Sequence, residues 1–451
     1  MVLLPAVLAA LVVPLGSAQA DEAASEIITT SGPIGAKTPD LAELRKPGAW
    51  DRYLKKAAAA EAQQPTVPHE TVGPARSGAA RSPEESAVPP AEQDPASAPQ
   101  VSLPEPSHTM SKVECLEGLG SKEFFIKSRF AVCSGREFTN TWFTNREPLG
   151  MSHFTVLAIG TIAKNSRTMT VTYHFVGFNA TGRQNAAGLG ITTRVKIAQS
   201  WPSTAKYKLG GTALPLKKTW SQLVAQGSFK HTVYAAADQG SSGSTDTVFA
   251  AYQPNIKLSP PPGWTIGLPS DSDIFMLPPR WDKATYLPNR AKGAAVFSVV
   301  TALKLSTKPS APEWDVAKHI KLAYTNPGAT KPPYSGKKLP GNSANAPLTR
   351  LYKDAARRKE NRNRAIYNCK KYYGADYTEG GRKECDEFPM ATTYEGAAKS
   401  KYDPRAHPKN FSAKPVDEKA NGAAGNLSAQ YYDKNRILDG PDDGFLVKIT
   451  S

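Results

Sequence analysis

Seven consecutive residues, Met169-Thr170-Val171-Thr172-Tyr173-His174-Phe175, alternate apolar and polar side chains without a break. A period of two is the signature of an extended strand with one buried face. Similar short segments recur at 154–162, 192–198, 247–252 and 296–305, separated by Gly, Pro, Asn and Ser. Strands at this spacing predict an all-β, sandwich-like module over residues 109–308. Its histidines, His153, His174 and His231, lack the spacing of a metal site and read as polar-face or loop residues.

The chain on either side of that module reads differently. Residues 2–15 are almost wholly apolar and lead into Ala18-Gln19-Ala20, the small-x-small pattern of a signal-peptidase site, so residues 1–20 read as a signal peptide for a secreted, extracellular protein. Beyond the N-terminus no apolar run is long enough to span a bilayer, and no stable membrane insertion is expected. Residues 21–108 are rich in Ala, Pro, Ser, Glu and Gln and poor in aromatics. Such a composition buries too little apolar area to offset its ordering entropy, so it predicts a disordered linker with at most a short helix over 40–62.

Charge is distributed unevenly along the 451 residues. Residues 1–110 carry a net −5, residues 111–310 a net +13 and residues 311–451 a net +8. A basic exported surface suits polyanions: nucleic acid through counterion release, or an anionic cell-wall polymer held by the β module. Four cysteines, Cys115, Cys133, Cys369 and Cys385, admit three pairings. The sequence-local one, Cys115 with Cys133 and Cys369 with Cys385, keeps one bridge in each basic segment and fits an oxidising compartment. No Cys or His cluster has zinc spacing.

The last third, residues 312–451, carries the candidate chemistry. Helices are expected over 314–323 and 348–369, separated by a Pro/Gly/Lys-rich stretch at 325–347. The second helix bears Arg357, Arg358, Arg362 and Arg364, either a phosphate-contacting face or a merely solvated one. After it comes Cys385-Asp386-Glu387-Phe388-Pro389-Met390-Ala391-Thr392-Thr393-Tyr394-Glu395-Gly396, which places three carboxylates in ten positions. Phosphodiester cleavage needs charge neutralisation, a hydroxide near neutral pH and a stabilised leaving alkoxide, and a carboxylate-bound Mg²⁺ or Mn²⁺ supplies all three.

That phrase, followed by Asn421-Gly422-Ala423-Ala424-Gly425, Leu427-Ser428-Ala429-Gln430-Tyr431-Tyr432, Arg436-Ile437-Leu438-Asp439-Gly440 and Phe445-Leu446-Val447-Lys448-Ile449, resembles the NucA/NucB-type secreted deoxyribonuclease domain in its actinobacterial form. The resemblance implies a small α+β nuclease domain and a metal-dependent, sequence-nonspecific endodeoxyribonuclease acting on extracellular DNA. It also implies catalytic roles for Asp386, Glu387 and Glu395. Successive strand residues point to opposite faces, so Asp386 and Glu387 cannot both face one ion. The preferred metal set is therefore Asp386 with Glu395, leaving Glu387 to orient a neighbouring cation. Asn421 matches the family's asparagine before a glycine-containing turn and joins the metal set; Arg436 is a candidate phosphate contact. His319 reads as a packing or surface residue. The alternative function is a non-catalytic extracellular protein that binds polyanion or cell wall.

Overall fold

The computed structural model describes residues 25–35, 40–53, 55, 101–145, 147–240, 245–267 and 270–451. The expected signal peptide and most of the expected linker lie outside these residues. The fold is mostly β. Long strands Ala131–Thr144, Glu147–Ile162 and Thr168–Gly182 pair antiparallel in sequence order and continue through Ser228–Ala235 to Tyr207–Gly211. A second sheet is built around Thr245–Ser259, flanked by Gly190–Trp201 and Pro279–Ala284. The inward residues of the alternating run, Met169, Val171, Tyr173 and Phe175, are buried and share one apolar core with Val248, Tyr252 and Trp281 of the second sheet. Cys115 and Cys133 are bridged, pinning the helix Lys112–Leu119 to the first sheet.

Two expectations about boundaries are corrected. Residues 21–108 are not all linker: Ser25–Gly32 is a strand paired antiparallel with Ala131–Thr144, and its Ile27 is fully buried. The composition of a long Pro- and Ala-rich stretch averages away the eight residues SEIITTSG, whose β-branched content favours a strand. Within the expected helix over 40–62, Asp40 caps a short helix at Leu41–Leu44. At the other end, the run 296–305 is two strands in different sheets. Ala294–Phe297 stays in the β unit, whereas Thr301–Ser306 pairs with the C-terminal strand.

The C-terminal unit therefore begins at β1 (Thr301–Ser306). There follow α1 (Trp314–Thr325), β2 (Leu348–Thr349), α2 (Ala355–Tyr373), β3 (Lys383–Phe388), α3 (Lys399–Tyr402), β4 (Ser412–Asp417), α4 (Glu418–Lys434) and β5 (Gly444–Thr450). β5 lies parallel to β1 and antiparallel to β2, while β3 and β4 form a separate antiparallel ribbon. In α1, Val316, Ala317, Ile320 and Ala323 fall on one stripe and pack with Leu303, Val416, Leu427 and Phe445. The first turn of the expected second helix is instead β2 and a loop. Asp354 starts α2 by accepting the Arg357 N–H at 2.8 Å.

Candidate functional site

The β3–β4 ribbon decides where the acidic residues go. Asp386 lies opposite Lys414, Glu387 opposite Ala413 and Phe388 opposite Ser412. Directly opposed residues share a face, and alternation sends their neighbours to the other. One face looks at α1: Phe388 meets Tyr324 edge-on at 5.0 Å, and Lys414 reaches Asp315 at 3.4 Å. The other face looks at α2, to which Cys385 is bridged through Cys369, and against which Ala413 packs with Ala365. Both disulfides thus follow the sequence-local pairing.

On the α1 face His319 bridges two strand residues. Its Nδ1 is 2.6 Å from Asp386 Oδ2 and its Nε2 is 2.6 Å from Ser412 Oγ. His319 is 1% exposed, Ser412 0% and Asp386 8%. A carboxylate only accepts, so with a neutral ring Nδ1–H donates to Asp386 and the Ser412 hydroxyl donates to Nε2. The order resembles a Ser-His-Asp relay, but a wholly buried serine cannot reach a substrate. Asp386 is the more exposed end of this chain, and no hydrogen bond reaches its Oδ1 among the described residues. His319 is therefore no bystander: it falls on the buried stripe of α1, one residue before Ile320, and that placement delivers its ring to the ribbon. Ser412 carries no motif and was not legible as part of a site.

Glu387 points the other way, as strand alternation requires. Burial, and next the Asp386 charge, push its carboxyl up to about 8, against the opposing pull of Arg362 and the Ala391 N–H. Glu395, expected to join Asp386 on a metal, is engaged elsewhere. Its two oxygens accept from Thr349 N at 2.9 Å and Thr349 Oγ1 at 2.8 Å, which ties the acidic loop to β2, and burial raises its pKa. Asn421 does not precede a turn. It sits inside α4, with Ala423 and Ala424 buried beside it, and donates to Glu384 Oε2 at 2.7 Å. The three expected ligands are thus held by three separate partners. Among the described residues no group of three or more His, Cys, Asp or Glu is placed to hold a metal.

The expected phosphate-binding arginines divide. Arg357 donates to the Tyr394 carbonyl at 2.6 Å and stacks over Tyr394 and Tyr402, Arg358 donates to the Tyr352 carbonyl, and Arg364 to the Pro408 carbonyl at 3.1 Å. These three position loops around α2 while staying partly exposed, and the Arg362 charge acts on Glu387. Arg436 is corrected outright. It is 3% exposed, its guanidinium bonds Asp282 of the β unit and the Pro288 carbonyl, and its φ of 50° marks the left-handed turn that ends α4.

Arg436 belongs to a seam of buried charge between the two units. Asp282 also takes Arg280 at 3.1 Å, and Asp443 takes Arg280 at 2.6 Å and Arg129 at 2.7 Å. A second, aromatic contact lies beside it: Tyr286 stacks on Tyr352 at 4.5 Å, with the buried Arg350 guanidinium against both rings. No helix among the described residues is long and apolar enough to cross a membrane, and the two disulfides fit an extracellular protein. No family model, curated protein or solved structure matches this chain.

Proposed function

We propose that the C-terminal unit is a secreted, sequence-nonspecific endonuclease that hydrolyses DNA phosphodiesters at Asp386. The observation that carries this reading is the Ser412–His319–Asp386 chain of hydrogen bonds, which fixes one carboxylate oxygen and leaves the other to take a proton from water. The C-terminal motif's resemblance to secreted nucleases supports the same substrate. On the opposite face Glu387, whose carboxyl feels the Arg362 charge, serves to orient that cation toward phosphate. Glu395 acts through Thr349, holding the acidic loop on β2.

Of the donors expected to hold Mg²⁺ or Mn²⁺, Asp386 alone keeps a carboxylate oxygen without a protein partner among the described residues; since that oxygen cannot both ligate the ion and take the proton, Asp386 would hold the ion only through one of its waters. A hydrated Mg²⁺ needs only one or two carboxylates together with substrate phosphate. When bound, such an ion neutralises phosphate charge and lowers the pKa of water.

The test is plasmid DNA with the full chain and Mg²⁺ or Mn²⁺. Asp386→Asn should slow nicking by about 100-fold or more, and EDTA should stop it. Nicking that persists undiminished in Asp386→Asn overturns the reading; retention of labelled DNA without shortening makes the protein a polyanion binder instead.

A further inference from the structure

Two grooves, of about 450 and 560 Å³, lie on either side of one segment, residues 396–411, beside α2. Neighbouring residues of that segment line opposite grooves: Ala397 and Lys399 the first, Ala398 and Lys401 the second. The pair is strongly cationic. Seven Lys or Arg side chains line them against two carboxylates, and each carboxylate is held by a groove cation: Asp403 by Arg405 at 3.0 Å, and Glu360 by Lys401.

Flat aromatic surfaces accompany the charge. In the first groove Tyr334 stacks on His407 at 3.7 Å and 9°. In the second Tyr367 is 63% exposed, with Lys371 Nζ 5.9 Å from its ring and 5.6 Å from that of Tyr372. The exposed ring face of Tyr367 offers stacking to a flat partner. Each groove falls in the size range that takes a nucleotide-sized group.

The grooves are also wired to the acidic segment. The Asn361 side chain accepts the Ala398 N–H at 2.8 Å and donates to the Ala391 carbonyl at 2.9 Å, and Ala391 N–H bonds Glu387.

We propose that these grooves bind single-stranded polynucleotide, stacking unpaired bases on Tyr334–His407 and Tyr367 while the surrounding cations follow the phosphates. Bases in a duplex are stacked on one another and cannot offer their faces; unpaired bases can, which makes a single strand the ligand that uses both features. The inference rests on the nuclease reading for the cleavage step after binding, and names the preferred substrate as a single-stranded or locally unwound chain.

Binding is measured apart from cleavage, by fluorescence anisotropy of the full chain in EDTA. The probes are fluorescein-labelled oligo(dT) of about 20 nucleotides and a duplex of about that length. Tyr367→Ala and Tyr334→Ala should each weaken oligo(dT) binding about tenfold and duplex binding less than about twofold, with Tyr367→Phe restoring the first. Lys409→Gln should weaken both probes and flatten their salt dependence. Equal weakening of both probes by the tyrosine variants, no weakening of oligo(dT), or displacement by heparin that ignores those variants would each overturn the proposal. Absence of plasmid nicking by the unaltered full chain in Mg²⁺ or Mn²⁺, with oligo(dT) binding intact, would instead count against the nuclease reading alone.

Discussion

At the seam Asp282 and Asp443 meet three arginines, whereas in the ribbon Asp386 and Glu387 sit in adjacent positions with His319 on one side and Arg362 on the other. Burial is nearly equal, since all four carboxylates are 8% exposed or less. For Glu387 the protonation outcome is the opposite of that at the seam. At the seam burial raises the carboxyl pKa values, but the charges of Arg436 and Arg280 on Asp282, and of Arg129 and Arg280 on Asp443, outweigh it and pull both below their usual range. In the ribbon burial and a like charge act together, and Glu387 rises to about 8. Buried carboxylates ringed by arginines lie between the two units; an acid that burial and a like charge keep protonated is a feature that chemistry uses.

The comparison can be broken most directly at the seam. Asp443→Asn strands Arg129 and half of Arg280, and should cost about 3–5 kcal/mol, read by urea denaturation. A loss below about 1 kcal/mol would mean that the seam is not holding the units. Removing the ribbon's own anchor is next: Cys369→Ser with Cys385→Ser opens a short loop and should cost about 3 kcal/mol, with nicking falling alongside stability because the acidic segment loses its tie to α2.

A pH series sharpens the contrast. Glu387 is raised from 4.5 to about 8, so the folded state binds the extra proton and stability is lost as pH rises between those values. Glu387→Gln should remove that slope and be more stable than the parent by more than about 1 kcal/mol near pH 8, measured by thermal or urea melts in EDTA. Identical slopes for the two proteins would show that Glu387 is compensated in solution. The smallest effect belongs to a simple cap: Asp354→Ala should cost about 1 kcal/mol of stability by freeing the first turn of α2.

Regular features were legible because they repeat. The alternating run 169–175 lies in one long strand, the apolar stripe of α1 lies where its spacing puts it, and the two short-range disulfides join cysteines of the same basic segment. The strand at Ser25–Gly32 was hidden because an average over a long segment dilutes eight residues. Asn421 misled because Asn-Gly favours turns locally, while the alanines and Leu427 that come after it bury one face of a helix.

By itself the sequence determined strand and helix periods, the unequal charge of the segments and the short acidic motif, since each depends on neighbours in the chain. Tertiary structure alone decided that Arg436 is interior, that Glu395 holds Thr349, and that His319 joins Asp386 to Ser412 across separations of 67 and 93 residues. The reason is physical: a charged side chain takes its role from the charges and the water around it, and those are set by residues that meet only when the chain is folded.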